Sequence, residues 1–569
     1  MFEGATPGSL PTPGTYQTKF LALFDRVGEL QAASMDVFNV KAAAYGAVGD
    51  GVTNDATKIQ AALNAAAVVG GIAFAPIGVF MVASTIVVPA NVTLRGAGLG
   101  LTIIKAMAGC TANVVNMNGA SDVTVEDLTI DGAGICATVL HIYRTTTANM
   151  ATRHSVRRVT VQGGTGYNFR VSSPLTDFVL EDSLLEDGVG TLINPTVAGS
   201  QNIRIARNRM PGIQVYGSTY PWFTNVSVQD NVCSNGDNPI ELFAIESVVV
   251  TGNRVKGPGL RGISTANCRN MVIDDNVVRN QANYAVEING GERIRVTGNI
   301  AYNCKSLCTE TGYDGGAAGQ SAIDLTISDN MHIGTGLSAS ASVASILVYG
   351  AHGLTIERNV FRGLEYATMG AIQIGHAYAT TDAVVRDNLH IIDTANSALL
   401  SIGQGIVTDS LVDGNVTKVS RNLVAGDDYA RVMSATMGAG NSVGVVFRHN
   451  EVVFTGTVSA APNAVGIGAN YAAAGTMARS AFIGNRVTNG PTGFWADITS
   501  ADLIWADNDA RTCLTPLGTF NAAIVKGRTA DGAPLRPPTI TGSRGANAAL
   551  TDLLTKLATL GIVVDSSSV

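Results

Sequence analysis

The sequence predicts an all-β chain wound as a right-handed parallel β-helix, and three observations carry the prediction. Between residues 200 and 300 one phrase returns as IRIARNRM, VSVQDNVC, VVVTGNRV, MVIDDNVV and IRVTGNIA, each an alternating apolar strand ended by Asn208, Asn231, Asn253, Asn276 or Asn299. The intervals are 23, 22, 23 and 23 residues, and a strict period of that length marks stacked supersecondary units rather than a globular sheet. The series resumes at Asn330, Asn359, Asn388, Asn415, Asn450, Asn485 and Asn508, with intervals stretched to as many as 35 residues by insertions. Charged residues make up only 14% of the chain and glycines number 64, which suits tightly stacked turns with little free helix surface.

Within each repeat, β-branched residues at period two form the strand. Asparagine tolerates a left-handed backbone best after glycine, so it is expected to make the turn, with its side chain bonded to the next asparagine along the stack.

Residues 1–37 read as a linker (ATPGSLPTPGTY) and a short helix through Phe20, Leu23, Phe24, Val27 and Leu30. A helix that short needs a neighbour to cover its apolar face. Residues 38–515 are assigned to the β-helix. Its opening has a tight loop at Gly46, Gly49 and Gly51, then a helix capped by Asn54 or Asp55 with Ile59, Leu63 and Ala66 on one face. That helix is expected to cover the open first rung, where backbone groups and core side chains would otherwise be bare. The GAVGDG segment lacks the lysine and the strand-to-helix context of a phosphate-cradling loop and is read as structural. TVEDLTIDG, VRRVTVQGG and FVLEDSLLEDG supply the next rungs, and after residue 300 the inserts LSASASVAS, ATMGAGNS and NYAAAGTMA read as loops. Residues 516–569 leave the pattern, with a helical stripe at Leu550, Leu553, Leu554, Leu557 and Leu560.

Several function classes fall away. A formal net charge of −7 gives no basic stripe for nucleic acid. The seven cysteines (Cys110, Cys136, Cys233, Cys268, Cys304, Cys308 and Cys513) are scattered without zinc-type pairing and read as buried free thiols. The apolar run 61–83 is interrupted by Asn64, Gly70, Gly71 and Pro76, so no membrane insertion is expected. No basic region followed by an apolar run opens the sequence, so no secretory signal is expected. No cluster of outward aspartates suggests a calcium site, and no cofactor is expected.

Counting back from each asparagine locates a second strand in every rung, and alternation assigns its faces. Ile240, Leu242, Ile263, Val286, Ile288, Ile346 and Val348 turn inward. Their neighbours His141, Arg170, Gln214, Glu241, Ser264, Glu287, Leu347 and Gln373, with Asn194 among them, form an outward column. A second column reads Tyr143, Ser172, Tyr216, Phe243, Asn289 and Tyr349. Carboxylates and amides meet hydroxyls, and aromatic rings meet flat C–H faces, so the strip suits a glycan lying across rungs about 4.8 Å apart. Glu241 and Glu287 match two rungs apart, roughly 10 Å at their attachment points. That separation favours an inverting hydrolase, one carboxyl acting as acid and the other as base. The insertion CKSLCTETGYDGGAAGQ brings Glu310, Tyr313 and Asp314 toward the strip on a glycine-rich loop, with Asp314 a further catalytic acid. Asp274 and Asp275 sit at a turn beside a ladder asparagine and read as structural. A rival chemistry, β-elimination from a uronate, would draw its base and neutralising cation from His141, Tyr143 and Arg170. A glycan-binding adhesin without catalysis would use the same strip.

The segments FNVKAAAYGAVGDGVTNDATKIQAALNAA and GGIAFAPIGVFMVASTIVVPANVTLRGAG, within residues 38–105, resemble the opening of the pectate lyase-like superfamily of β-helix proteins. The C-terminal TITGSRGANAALTDLLTKLATLGIVVDSSS is similar to C-terminal pieces of phage tail and tailspike proteins. Together the resemblances imply a virion tail protein, homotrimeric, that depolymerises a bacterial surface polysaccharide. The surroundings of Asp274 and Asp275 do not resemble those of the β-helix polygalacturonases.

Overall fold

Short strands of alternating inward and outward residues pair in parallel with the strand one rung away, and the chain thereby winds as a β-solenoid. The computed structural model describes residues 36–520, except 145–149, 187–189, 235–237, 315–316, 319–320, 335–343, 365–369, 395–398, 428–429, 436–440, 470–475, 497–499 and 502, and in addition 539–540 and 564–565. The expected N-terminal helix, the leucine stripe at 550–560 and much of the three inserts lie outside the described residues. Two compact units, Met1–Cys233 and Ser234–Val569, divide the chain.

In the first unit the helix Ala56–Val69 buries Ala56, Ile59, Ala62, Leu63 and Ala66. It packs on the strands Val37–Asn39, Ile72–Ala75 and Ile86–Val88. The capping expectation is corrected in detail. Asp55 is wholly buried, and its carboxylate accepts the N–H groups of Val48 and Gly49 at 2.8 Å each, so it ties down the glycine loop. Asn54 Oδ1 instead accepts the Ala56 N–H at 3.2 Å. Gly70, left-handed at φ 74°, stops the helix. Beyond it, Val125, Leu128 and Ile130 of Thr124–Asp131 pair with Val156, Val159 and Val161 of Ser155–Gln162, all fully buried.

In the second unit each rung turns through three strand directions. Two rungs join two of these directions in one 13-residue strand, Arg254–Ala266 and Val277–Asn289, with register slips between Lys256, Gly259 and Arg261 where the strand bends. Every inward residue named from the sequence is fully buried. Lower in the core Phe447, Phe482 and Trp505 stack on consecutive rungs, centroids 5.3 and 4.5 Å apart.

The asparagines form the expected ladder. From Asn253 to Asn485 in the second unit, each backbone N–H and each side-chain Nδ2 donates to Oδ1 of the next asparagine, as Asn276 does to Asn299 at 3.0 and 2.9 Å. Asn208 does the same to Asn231 in the first unit. The turn itself is made elsewhere than expected. The residue before each ladder asparagine carries the left-handed backbone, for example Asp275 (φ 52°), Asp329 (φ 58°) and Asp387 (φ 55°). The asparagine side chain faces inward and is buried, so its amide satisfies backbone groups at the corner where the strand ladder lapses.

Candidate functional site

In the first unit, pairing between neighbouring strands aligns His141 with Arg170, Arg170 with Leu192 and Leu192 with Gln214. Leu192 therefore fills the rung expected to offer Asn194. His141 stacks on Tyr143 with centroids 5.4 Å apart, and its Nε2 lies 2.9 Å from Ser172 Oγ. Burial, aided by the Arg170 charge, lowers the imidazole pKa to about 4, so the ring is neutral at physiological pH. Arg170 sits over the Tyr167 ring at 5.6 Å. Tyr143 is exposed, whereas Gln214 and Tyr216 are half-buried. Sequence reasoning thus brought His141, Tyr143, Arg170 and Ser172 to one place; the Tyr167 contact was missed because its register lies three residues before Arg170.

In the second unit the column expected to face outward runs Glu241, Ser264, Glu287, Thr309, Leu347, Gln373 on consecutive strands, and all but Glu241 are buried. Thr309 was overlooked. Glu287 is only 5% exposed, which corrects the expectation of a solvent-facing carboxylate. Its Oε1 accepts from Arg261 Nε at 2.8 Å and its Oε2 from Ser264 Oγ at 2.6 Å. Ser264 stands on the rung between the two glutamates, so this bond inclines Glu287 toward Glu241. Glu241 and Phe243 are half-buried.

Around Glu287 the residues are aromatic and cationic. The Tyr284 phenol is pushed up by burial and then by the Glu287 and Tyr349 charges, with Arg261 opposing, which places the four groups within electrostatic reach of one another. Tyr349 meets the His376 ring edge-on at 4.9 Å, and Gln373 Nε2 is 3.0 Å from His376 Nδ1. Burial lowers the His376 pKa. Arg261, Tyr284 and His376 escaped sequence reasoning. Arg261 and Tyr284 stand at the bends of the two 13-residue strands, where alternation no longer reports the face, and His376 lies just past the strand Ile372–Ile374.

Glu310 requires a correction. It is not on a loop tip but ends the strand Ser306–Glu310, in the inward register of Ile288 and Val348, and is fully buried. Its oxygens accept the N–H groups of Gly312 at 2.7 Å and Gly350 at 3.2 Å. Burial outweighs these bonds and raises its pKa to about 7. A carboxyl so placed holds two chain turns and is out of reach of a saccharide. Tyr313 and Asp314 lie beyond it in a short antiparallel hairpin with Ala317–Ala318. Among the described residues no group of three metal-ligating side chains converges.

These features define a parallel β-helix with a polar and aromatic strip on one sheet in each unit. Residues 37–121 match the family described as "Rhamnogalacturonase A/epimerase, pectate lyase-like", and residues 186–331 match "Right handed beta helix region". Mannuronan C5-epimerase AlgE1 of Azotobacter vinelandii is 41% identical over 88 residues, covering 14% of this chain and 6% of that protein. The chain thus spans a small fraction of the curated relatives it matches. Among solved structures, Geobacillus virus E2 ORF18 is 19% identical with TM-score 0.39, covering 60% of this chain and 64% of its own. The Dettilon tailspike protein is 14% identical with TM-score 0.39, covering 77% of this chain and 69% of its own.

Proposed function

We propose that the chain is a tailspike-type depolymerase, carried on a virion tail as a homotrimer, that binds a bacterial surface polysaccharide and cleaves it by hydrolysis. The observation that carries this reading is the run Glu241, Ser264, Glu287 on three consecutive strands, two carboxyls with a hydroxyl between them and Phe243, Tyr284 and Tyr349 alongside. The pectate lyase-like opening supports action on a polysaccharide, as does its likeness to proteins named for action on mannuronan.

In this mechanism the saccharide lies across the rungs, its C–H faces on the aromatic rings and its hydroxyls on the amides. Glu287, fixed by Arg261 and Ser264, takes a proton from the attacking water. Glu241, less buried, gives a proton to the departing glycosidic oxygen. Two rungs set the attachment points roughly 10 Å apart, and the inclination of Glu287 brings the carboxyls toward the 6.5–9.5 Å (about) range of inverting enzymes. Asp314, on its hairpin, is the reserve acid.

A second reading rests on the first unit. A neutral imidazole at His141 beside the Arg170 guanidinium is the pairing that β-elimination from a uronate needs: a base, and a cation to hold the carboxylate. Product analysis on a panel of capsular, exopolysaccharide and O-antigen substrates decides. Saturated oligosaccharides with inverted anomeric configuration support the hydrolase, and ultraviolet absorbance from an unsaturated uronate supports elimination. Binding without any product would leave a glycan-binding adhesin.

A further inference from the structure

The sheet that follows the asparagine corner in the second unit presents an outward column of Val277, Ile300, Met331, Val360, Leu389 and Val416, one per rung over six consecutive rungs. Ile300 and Met331 are each 38% exposed. An outward sheet position facing only water has no reason to remain apolar for six rungs, about 24 Å at the rung spacing.

At the Val277 rung the two borders of this column carry opposite charge. At the corner, Asp274 and Asp275 stand side by side; neither makes an ion pair among the described residues, and burial, then the Asp275 charge, raise the Asp274 pKa. On the far border Lys256 stands one rung from Arg279, both cations are exposed, and neither makes an ion pair among the described residues. Arg279 instead lies over the Tyr302 ring at 5.7 Å. This differs from three other corners, where charged residues pair across rungs: Asp127 with Arg158, Asp182 with Arg207 and Asp329 with Arg358. Acid, apolar column and base lie in that order within the six residues 274–279.

We infer that this face is where copies of the chain meet, side by side and parallel, with the apolar column turned toward their common axis. For copies around an axis along the stacking direction, the acidic border of one faces the basic border of the next. Unanswered charges of both signs are then paired and the apolar column is enclosed. Antiparallel copies would set acid against acid and base against base, so the arrangement also selects polarity. The inference rests on the homotrimer reading and names the surface that closes it.

The experiment measures the mass of the full chain by light scattering across a dilution series. Parallel samples carry the acidic border reversed (Asp274→Lys with Asp275→Lys), the basic border reversed (Lys256→Glu with Arg279→Glu), or both. Circular dichroism checks that each folds. The expected result is a trimer for the parent, dissociation at a concentration about tenfold or more higher for either single reversal, and recovery when both borders are reversed in one chain. Single reversals that hold together as the parent does would overturn the inference while leaving the trimer standing. A parent with single-chain mass overturns both, and polysaccharide cleavage measured on the same samples stays an independent readout of the hydrolase.

Discussion

Replacing Glu310 by glutamine should remove a pH dependence from the stability of the second unit. The carboxyl is fully buried, and its pKa stands at about 7 against an ordinary value of 4.5, with burial the leading cause. The folded state therefore holds the Glu310 proton more tightly than the unfolded chain does. Its contribution is full below pH 4.5 and is lost as pH rises through about 7. A difference of this size corresponds to about 3 kcal/mol between the two ends of the window. Glutamine does not titrate there. It also presents a donor toward the N–H groups of Gly312 and Gly350, so the variant carries a roughly constant penalty of about 1–3 kcal/mol. Buried histidines complicate the raw profile, because burial lowers His332 to about 4 and His390 to about 3, and each withdraws stability as pH falls below its ordinary value near 6.5. Subtracting variant from parent cancels them. Thermal or urea midpoints of both proteins, taken at fixed ionic strength from pH 4.5 to 8, should give a parent advantage that is greatest at acid pH and shrinks as pH rises. An advantage constant across that window would show that Glu310 is ionised throughout and refute the assignment.

Glu241→Gln and Glu287→Gln should each lower depolymerisation by roughly 10² to 10⁴ with binding retained; if both cleave at the parent rate, Asp314 is the next acid to change. The two should differ in stability, because Glu287→Gln leaves the Arg261 guanidinium without its carboxylate and costs about 1–3 kcal/mol, whereas Glu241→Gln costs about 0.5 kcal/mol or less. Asn299→Ala takes the acceptor from both Asn276 N and Asn276 Nδ2 in a fully buried corner and should cost about 3–5 kcal/mol, read as a lowered denaturant midpoint. All seven cysteines are free and buried, so a thiol reagent should label them only after unfolding; labelling of the folded protein at any one would contradict the packing.

The winding was legible because its signal is periodic. Ladder asparagines and alternating β-branched residues recur at fixed offsets, and the inward residues follow from parity alone. The same parity placed Glu241, Ser264 and Glu287 in one register. It failed where the backbone leaves the strand. Arg261 and Tyr284 stand at bends whose register slips by residues that no alternation can count. Glu310 was taken for a loop residue because its rung lacks a nearby asparagine after the insertion, yet it is paired between Ile288 and Val348. The left-handed turn was assigned to asparagine on intrinsic preference, but the stack uses the asparagine amide as a bridge and leaves the turn to the residue before it. Whether a carboxylate on a sheet is free or already engaged depends on neighbours contributed by other rungs, and sequence order does not announce them.

The asparagine ladder has a sense of direction. Each amide oxygen receives its two donors from the rung before it, so a newly formed rung keeps a backbone N–H and a side-chain NH unanswered until its successor arrives. For a chain synthesised from its N-terminus, every finished turn is a template whose last requirement is met by the next one to emerge. Growth then proceeds like a zipper closing from one end, and a turn placed out of sequence finds no donors waiting. Insertions between asparagines lengthen the interval between closures without changing what each closure must supply, which is why this scaffold carries loops of unequal size on an unaltered track.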